Sequence, residues 1–300
     1  MPMTAQSGKR TWTILQLLEW TADHFRAAGI QNPRLNAEVL LGQVLGVERI
    51  MLYAHFEREV GEEQRARFRE LVRRRAAREP LQYLTGRSEF YGRPFEVTPA
   101  VMVPRQETEL LVEACLARLP GGPCWAADLC TGSGVVAVTL AAERNDLCVA
   151  ALDVSADAMD VARRNAAALG VSDRVAFGVG DLIDPLAALL PPGRSTVDLL
   201  AANPPYICTE VLGTLQPEVR DHEPRAALDG GPDGLDLIRR IVPAAARALN
   251  AGGWLALELG EGQARAVADL TAGVRAFRME TVETIVDAGG CERVFCVRKA

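Results

Sequence analysis

Acidic and glycine residues follow three successive apolar stretches of the chain. The segment DLCTGSGVVA, residues 128–137, places Gly132 and Gly134 between an apolar strand and a helix, so backbone N–H groups and the helix N-terminus would face a ligand. Asp153 ends the next apolar stretch, and Asp181 follows the third. Because the carboxyl ends of parallel strands meet at one edge of a sheet, we expect these residues to border a single ligand site.

The charge beside the glycine loop separates two classes of ligand. A loop of this kind, with Asp153 at a suitable distance, is also typical of dinucleotide sites. Asp128, four residues before Gly132, would repel a pyrophosphate and attract an amino group. The pattern therefore favours S-adenosylmethionine, with Asp128 near the methionine end, Asp153 near the ribose and Asp181 near the adenine. A nicotinamide or flavin nucleotide, or a strand–helix turn without a ligand, are the alternatives.

The tetrapeptide Asn203-Pro204-Pro205-Tyr206 ends a fourth apolar stretch, where the methyl group of such a donor would emerge. An amide or aromatic amine nitrogen is a poor nucleophile because its lone pair is delocalised. The Asn203 side-chain oxygen and the rigid Pro204 carbonyl would accept both of its N–H protons, and Tyr206 offers a flat face for stacking. We predict methyl transfer to a planar nitrogen by positioning and differential hydrogen bonding, without a general base. A turn with no catalytic use is the alternative.

Strand and helix signals alternate through the part of the chain that contains these residues. Seven strand segments are evident from Cys124 onward, and the last two suit an antiparallel pair at the end of the sheet. The pattern predicts an α/β fold over residues 101–300, with a doubly wound, Rossmann-like, seven-stranded sheet.

The N-terminal part of the chain has a different pattern of secondary-structure signals. Residues 11–78 carry only helix signals, which predict a small helical bundle over residues 1–80. Seven arginines lie between Arg65 and Arg78 and form either a solvated helix face or a docking surface for RNA or an acidic partner. Residues 81–100 are rich in aromatic and β-branched residues between glycines, which predicts a β-hairpin linker.

Composition excludes several classes of protein. The 300-residue chain has no apolar run of the roughly 18 residues that a membrane span needs, and its first residues do not resemble a signal peptide, so we expect a cytoplasmic protein. Its seven cysteines are scattered without a CxxC motif and its histidines number three, which predicts reduced core cysteines and no metal site. Residues 1–100 carry 15 basic and 12 acidic residues, and residues 101–300 carry 18 and 27. The acidic C-terminal part argues against a direct nucleic-acid substrate.

Taken together, these motifs resemble the N5-glutamine methyltransferases of peptide chain release factors, and the resemblance covers nearly the whole chain. Asn-Pro-Pro-Tyr alone is shared with adenine and cytosine amino-methyltransferases, whereas the segments before the glycine loop are more selective. The matching segments are AEVLL, REPLQYLTGRSEFYG, FEVTPAVMVPRQETELLV, DLCTGSGVVAVTLA, ALDVSADAMDVARRNA, AANPPYI, EPRAALDGGPDGLD and GCERV.

The resemblance implies a fold, a substrate and a set of site residues. A small N-terminal helical bundle, joined by a hairpin to the methyltransferase domain, would dock the substrate protein. That substrate would be a class 1 release factor, methylated on the glutamine of its Gly-Gly-Gln motif in support of translation termination, by an enzyme that we expect to be a monomer. The cofactor would contact Asp128, Cys130, Thr131, Gly132, Ser133, Gly134, Asp153, Asp181, Leu182 and Asn203. The glutamine amide would be held by Asn203, Pro204, Pro205 and Tyr206, with Pro104, Arg105 and Glu109 at the border of the site.

Several positions depart from the pattern of the family. Cys130 stands where the first glycine is usual, Gln106 replaces a common proline, and Leu182 occupies a position near the adenine that is often aromatic. The form DLCTGSG also occurs in a sister family that methylates a glutamine of a large-subunit ribosomal protein. That substrate, and less strongly a DNA or RNA exocyclic amine, remain alternatives, as does a cofactor-binding assembly protein without enzymatic activity.

Overall fold

The computed structural model describes residues 11–300, which form two compact units that meet in the chain at Thr85 and Gly86. The first unit is all helical, as the sequence predicts for residues 11–78, and its apolar core includes Leu18, Phe25 and Leu40. Its helices are α1 (Ile14–Ala27), α2 (Pro33–Leu45), α3 (Arg49–Ala54), α4 (Glu62–Ala76) and α5 (Leu81–Thr85).

The helices of the first unit begin and pair through local polar contacts. The Thr13 side chain accepts from the Gln16 N–H, and the Gln16 side chain accepts in return from the Thr13 N–H, which makes a capping box at the start of α1. Along α4, Arg73 pairs with Glu70, and Arg74 pairs with Glu79 just beyond the helix. These ion pairs partly neutralise the arginine-rich segment.

A mixed seven-stranded sheet forms the centre of the second unit, in the order β5-β4-β3-β6-β7-β9-β8. Its strands are β3 (Cys124–Leu129), β4 (Leu147–Asp153), β5 (Val175–Val179), β6 (Val197–Ala202), β7 (Leu249–Glu258), β8 (Phe277–Val286) and β9 (Glu292–Lys299). The first five are parallel, and β9 runs antiparallel to both β7 and β8. The doubly wound α/β prediction, including the antiparallel pair at the end, is confirmed.

Helices cover both faces of this sheet, which explains why the parallel strands are apolar throughout. Consecutive residues of β3 illustrate the two faces, since Ala126 packs with the core under α6 to α8 and Ala127 packs with the core under α9, α11 and α12. The helices of the second unit are α6 (Thr108–Leu116), α7 (Val135–Glu143), α8 (Ala156–Ala168), α9 (Leu186–Leu189), α10 (Pro217–Arg220), α11 (Asp236–Ala248) and α12 (Ala264–Ala272), of which the short α10 buries no residue.

The predicted hairpin is shorter than the sequence pattern indicates. It consists of β1 (Arg87–Phe90) paired antiparallel with β2 (Arg93–Glu96), while residues 81–85 form the helix α5 instead. Asn165 in α8 holds the hairpin, because its Oδ1 accepts from the Glu96 N–H (2.7 Å) and its Nδ2 donates to the Glu96 carbonyl (3.0 Å). The same Nδ2 donates to the carbonyl of Ser133 (2.8 Å), so one buried side chain connects the hairpin to the glycine loop.

Over residues 11–300, none of the helices is long and apolar enough to cross a membrane.

Replacing Asn165 with Ala should destabilise the protein, because three backbone groups lose their hydrogen-bond partner in a buried position. Each lost partner costs about 1–3 kcal/mol, so we expect the free energy of unfolding to fall by about 3 kcal/mol in urea denaturation followed by circular dichroism. Asn145→Ala, at an exposed asparagine, is the matched control and should leave the midpoint unchanged. Equal midpoints for both variants would contradict this role of Asn165.

Candidate active site

The glycine loop between β3 and α7 is organised around the buried side chain of Asp128. Its Oδ2 accepts from the Thr131 hydroxyl (2.6 Å) and from the Ala137 N–H in the first turn of α7 (3.1 Å). Burial, partly offset by these two hydrogen bonds, raises the pKa of Asp128 to about 7. A cationic group beside this carboxyl would favour its ionised form, whereas a phosphate would oppose it.

Asp153, the last residue of β4, connects two turns at the same edge of the sheet. Its Oδ2 accepts from the Gly132 N–H (2.9 Å) and its Oδ1 accepts from the Ser155 N–H (2.9 Å). A carboxylate has about four acceptor positions, so each oxygen retains one for a ligand hydroxyl.

Two non-glycine residues at this edge adopt left-handed backbone conformations. Cys130 has φ 57° and Leu182 has φ 49°, in a region that side chains with a β-carbon rarely occupy. Such conformations are concentrated at ligand sites, where the surrounding structure maintains the strain. Two of the three departures noted in the sequence, Cys130 and Leu182, therefore coincide with strained positions of the site.

A cavity of about 860 Å³ lies over these strand ends, and it is called the larger cavity below. Its volume is within the range of about 300–1,000 Å³ that small-molecule sites occupy. The predicted residues that line it are Pro104, Asp128, Cys130, Thr131, Gly132, Ser133, Asp153, Asp181, Leu182, Asn203 and Pro205.

The wall of the larger cavity carries a net negative charge. Its acidic and basic residues are five aspartates and two arginines, and both arginines pair with aspartates. Arg240 on α11 pairs with Asp181, and Arg225 pairs with Asp229 (2.9 Å). The cavity thus suits a cationic ligand better than a pyrophosphate.

The corner formed by residues 203–206 is braced by the segment that precedes α11. The Ile207 N–H donates to the Leu228 carbonyl (3.0 Å), and the Gly230 N–H donates to the Ile207 carbonyl (2.8 Å). A β-carbon at Gly230 would lie 2.7 Å from the Pro205 carbonyl oxygen, so only glycine permits this close approach. The segment EPRAALDGGPDGLD therefore supports the corner.

Asn203 lies where the larger cavity meets a smaller one of about 200 Å³, and it lines both. Pro204, Tyr206 and Arg105 line only the smaller cavity, together with apolar side chains such as Leu215 and Val219. No hydrogen bond from residues 11–300 reaches the Pro204 carbonyl, which leaves this oxygen available as an acceptor.

The side chains of Asn203 and Tyr206 are held by two buried residues that are absent from the predicted site. Asn203 Nδ2 donates to the hydroxyl of Thr108 (3.2 Å), and the Tyr206 hydroxyl donates to Glu258 Oε1 (3.2 Å). Thr108 begins α6 and Glu258 ends β7, and each is 1% exposed. Glu258 ends an apolar strand as Asp153 does, so the same pattern could have identified it.

The remaining predicted residues lie outside the wall of the larger cavity. Gly134 is buried at the start of α7, with φ 83°, and a β-carbon there would lie 3.0 Å from that of Ala162. Arg105 pairs with the buried Glu223 (2.6 Å), and Glu109 accepts from the Tyr91 N–H at the hairpin (2.8 Å). Glu109 is thus separate from the two cavities.

Comparisons with known proteins match both parts of this architecture. Residues 16–86 match the family model of the PrmC N-terminal domain, and residues 106–213 match that of the methyltransferase small domain. The chain is 47% identical to the release factor glutamine methyltransferase of Geobacter sulfurreducens, over 85% of this chain and 87% of that protein. It is 46% identical to the protein of the same name from Moorella thermoacetica, over 94% and 97%.

The chain belongs to the release factor glutamine methyltransferase family. The fold of the second unit agrees with this membership, since a methyltransferase from Pyrococcus furiosus superposes with a TM-score of 0.51 over 70% of this chain and 90% of that one, at 19% identity. Within residues 11–300, no group of three or more His, Cys, Asp or Glu side chains is arranged to hold a metal ion.

In this family member, the raised pKa of Asp128 predicts a pH-dependent cost of folding. On folding, the pKa of this carboxyl rises from 3.8 to about 7. Ionising it therefore costs more free energy in the folded protein than in the unfolded chain. The free energy of unfolding, relative to Asp128→Asn, should therefore fall between about pH 4 and pH 7 by up to about 1.4 kcal/mol per pH unit, and then level off.

Urea denaturation of both proteins across this pH range measures the difference. Asp146→Asn is a control for which the pH dependence of the free energy of unfolding should have the opposite sign, because the Arg144 guanidinium lowers the pKa of that exposed carboxyl. A difference for Asp128 that does not change with pH would show that this carboxyl is not buried as described.

Proposed function

We propose that this enzyme transfers a methyl group from S-adenosylmethionine to the side-chain amide nitrogen of the glutamine in the Gly-Gly-Gln motif of class 1 peptide chain release factors. The observation that carries the proposal is the position of Asn203, which lines both an acidic cavity at the strand ends and a smaller apolar cavity. Family membership supports a glutamine amide as the acceptor. The enzyme would act as a monomer in the cytoplasm.

The larger cavity suits S-adenosylmethionine in charge and in size. Asp128 would face the amino-acid end, Asp153 would accept from the ribose hydroxyls, and Asp181 and Leu182 would border the adenine. The Arg240 guanidinium, paired with Asp181, would close the adenine end. S-adenosylmethionine supplies a methyl group on a sulfonium, and transfer to an amide nitrogen yields S-adenosylhomocysteine, the N-methyl amide and one released proton.

The residues at the corner would orient and activate the glutamine amide. The Asn203 Oδ1 and the Pro204 carbonyl would each accept one N–H of the amide, which favours a nitrogen whose lone pair is directed at the methyl group. These hydrogen bonds strengthen as the nitrogen gains positive charge, so they stabilise the transition state more than the ground state. Pro204 and Pro205 keep the acceptors in place because their φ angles are fixed. Tyr206 lines the smaller cavity, where the glutamine side chain would lie.

A ribosomal-protein glutamine or a nucleic-acid amine is the competing substrate class. The acidic wall of the larger cavity and the excess of acidic residues over 101–300 oppose a nucleic acid. The apolar lining of the smaller cavity suits the methylene groups of a glutamine side chain.

Substitutions at two positions should separate chemistry from cofactor binding. Asn203→Ala removes the predicted amide acceptor, so we expect the rate of methyl transfer to fall by about 100-fold or more while S-adenosylmethionine still binds. Asp153→Ala removes a charged acceptor, so we expect the dissociation constant of S-adenosylmethionine to rise by about tenfold or more. Isothermal titration calorimetry and single-turnover transfer of labelled methyl measure the two effects.

Asn145→Ala is the control and should behave as the wild type, because Asn145 is exposed in the turn before β4, at the opposite end of that strand from Asp153. Full transfer activity in Asn203→Ala would refute the proposed role of the corner.

The substrate class can be tested directly. Purified enzyme and labelled S-adenosylmethionine are incubated in parallel with a class 1 release factor, its Gly-Gly-Gln to Gly-Gly-Ala variant, ribosomal proteins and DNA, and peptide mass mapping locates the methyl group. We expect label only on the glutamine of the intact motif. Label on a ribosomal protein or on DNA, without label on the release factor, would assign the enzyme to the competing class.

A further inference from the structure

Few backbone groups of the corner are able to anchor it. Pro204 and Pro205 have no N–H, and their rings fix φ but leave ψ free. Any contact that fixes the corner must therefore reach its carbonyls or the residues that flank the prolines. The peptide group between Tyr206 and Ile207 is held on one side, because its N–H donates to the Leu228 carbonyl (3.0 Å). Its carbonyl oxygen is the second point at which this group can be held.

The side chain of Gln263 provides that second contact. Gln263 lies between β7 and α12, and its Nε2 donates to the Tyr206 carbonyl (3.0 Å) while its Oε1 accepts from the Gly260 N–H (2.9 Å). A backbone N–H only donates and a carbonyl only accepts, so both contacts require the same orientation of the Gln263 amide. Gln263 lines neither the larger nor the smaller cavity, so it acts on the corner without bordering either of them.

Close packing around Tyr206 leaves little space for another arrangement of the corner. A β-carbon at Gly234 would lie 2.6 Å from Gln263 Nε2, and a β-carbon at Gly260 would lie 3.2 Å from Cδ2 of the Tyr206 ring. At the far end of the side chain, the Tyr206 hydroxyl donates to Glu258 Oε1 (3.2 Å). Tyr206 is thus held at its carbonyl, along its ring and at its hydroxyl by the end of β7 and the segment that follows it.

We propose that Gln263 is a positioning residue that fixes the corner in the conformation needed for methyl transfer. The inference rests on the proposed function, in which the Asn203 Oδ1 and the Pro204 carbonyl each accept an N–H of the substrate amide. Gln263 anchors the chain two residues after Pro204, at the carbonyl of Tyr206. Without this anchor, the backbone torsions between the two carbonyls are free to vary, and the Pro204 oxygen moves away from the substrate nitrogen. A small misplacement of this kind lowers the rate strongly while the cofactor still binds.

Substitutions of Gln263 separate hydrogen bonding from packing. Gln263→Met keeps the length of the side chain and removes the donor. We expect the single-turnover rate at saturating release factor and cofactor, at pH 8, to fall by about tenfold or more. The dissociation constant of S-adenosylmethionine should change by less than about twofold, because Gln263 does not border the larger cavity.

Gln263→Glu is the matched isosteric variant. It keeps the native shape and the acceptor for the Gly260 N–H, but its ionised carboxylate has no hydrogen and places an oxygen against the Tyr206 carbonyl. We therefore expect Gln263→Glu to lose at least as much activity as Gln263→Met, although packing alone would make it the milder change. Arg265→Met introduces the same side chain at an exposed position of α12 and should leave both the rate and the dissociation constant unchanged.

Isothermal titration calorimetry and thermal unfolding of each variant accompany the rate measurements. Three results would overturn the inference in an enzyme whose wild type methylates a release factor. The first is a wild-type rate in Gln263→Met, and the second is a smaller loss in Gln263→Glu than in Gln263→Met. The third is a loss of S-adenosylmethionine binding as large as the loss of rate, because Gln263 would then support the fold and not the corner. A wild type that labels no release factor would instead refute the proposed function.

Discussion

The parallel register of β3, β4, β6 and β7 brings together the strand-end residues Asp128, Asp153, Asn203 and Glu258. Asp128 pairs with Ala151 of β4 and with Ala201 of β6, and Ala202 pairs with Leu257 of β7. The four strands consequently end at one edge of the sheet, and the residues at their ends become neighbours although they are far apart in the chain. A shift by one residue would direct the side chains to the opposite face, so the apolar core on both faces also maintains the site.

The charge and the backbone strain at this edge of the sheet both indicate a ligand site. The larger cavity has more aspartates than arginines on its wall, and two non-glycine residues near it hold left-handed backbone conformations. Both features destabilise the protein when considered alone, since like charges repel and strained conformations are costly. A cationic ligand would relieve the repulsion, which is consistent with a site organised around a sulfonium and an amino group.

The fold was largely predictable from local patterns. Apolar stretches of strand length, such as Leu147–Asp153, alternate with amphipathic segments, and parallel strands covered on both faces must be apolar throughout. The prediction was wrong where the signal was weak, since residues 81–85 form a helix and α12 was not anticipated. Short segments such as 81–85 respond to their tertiary environment more than to their own propensities.

The candidate site, like the fold, could be predicted from the sequence only in part. The sequence by itself determined the residues at or next to the carboxyl ends of the strands, namely Asp128, Asp153 and the corner that begins at Asn203, because strand ends can be read from the hydrophobic pattern. Only the tertiary structure decided which side chains meet there. Thr108 and Asn203 are 95 residues apart, and Tyr206 and Glu258 are 52 apart, yet each pair is hydrogen-bonded. Such contacts depend on register and side-chain direction, which arise only when the whole sheet and its helices have packed.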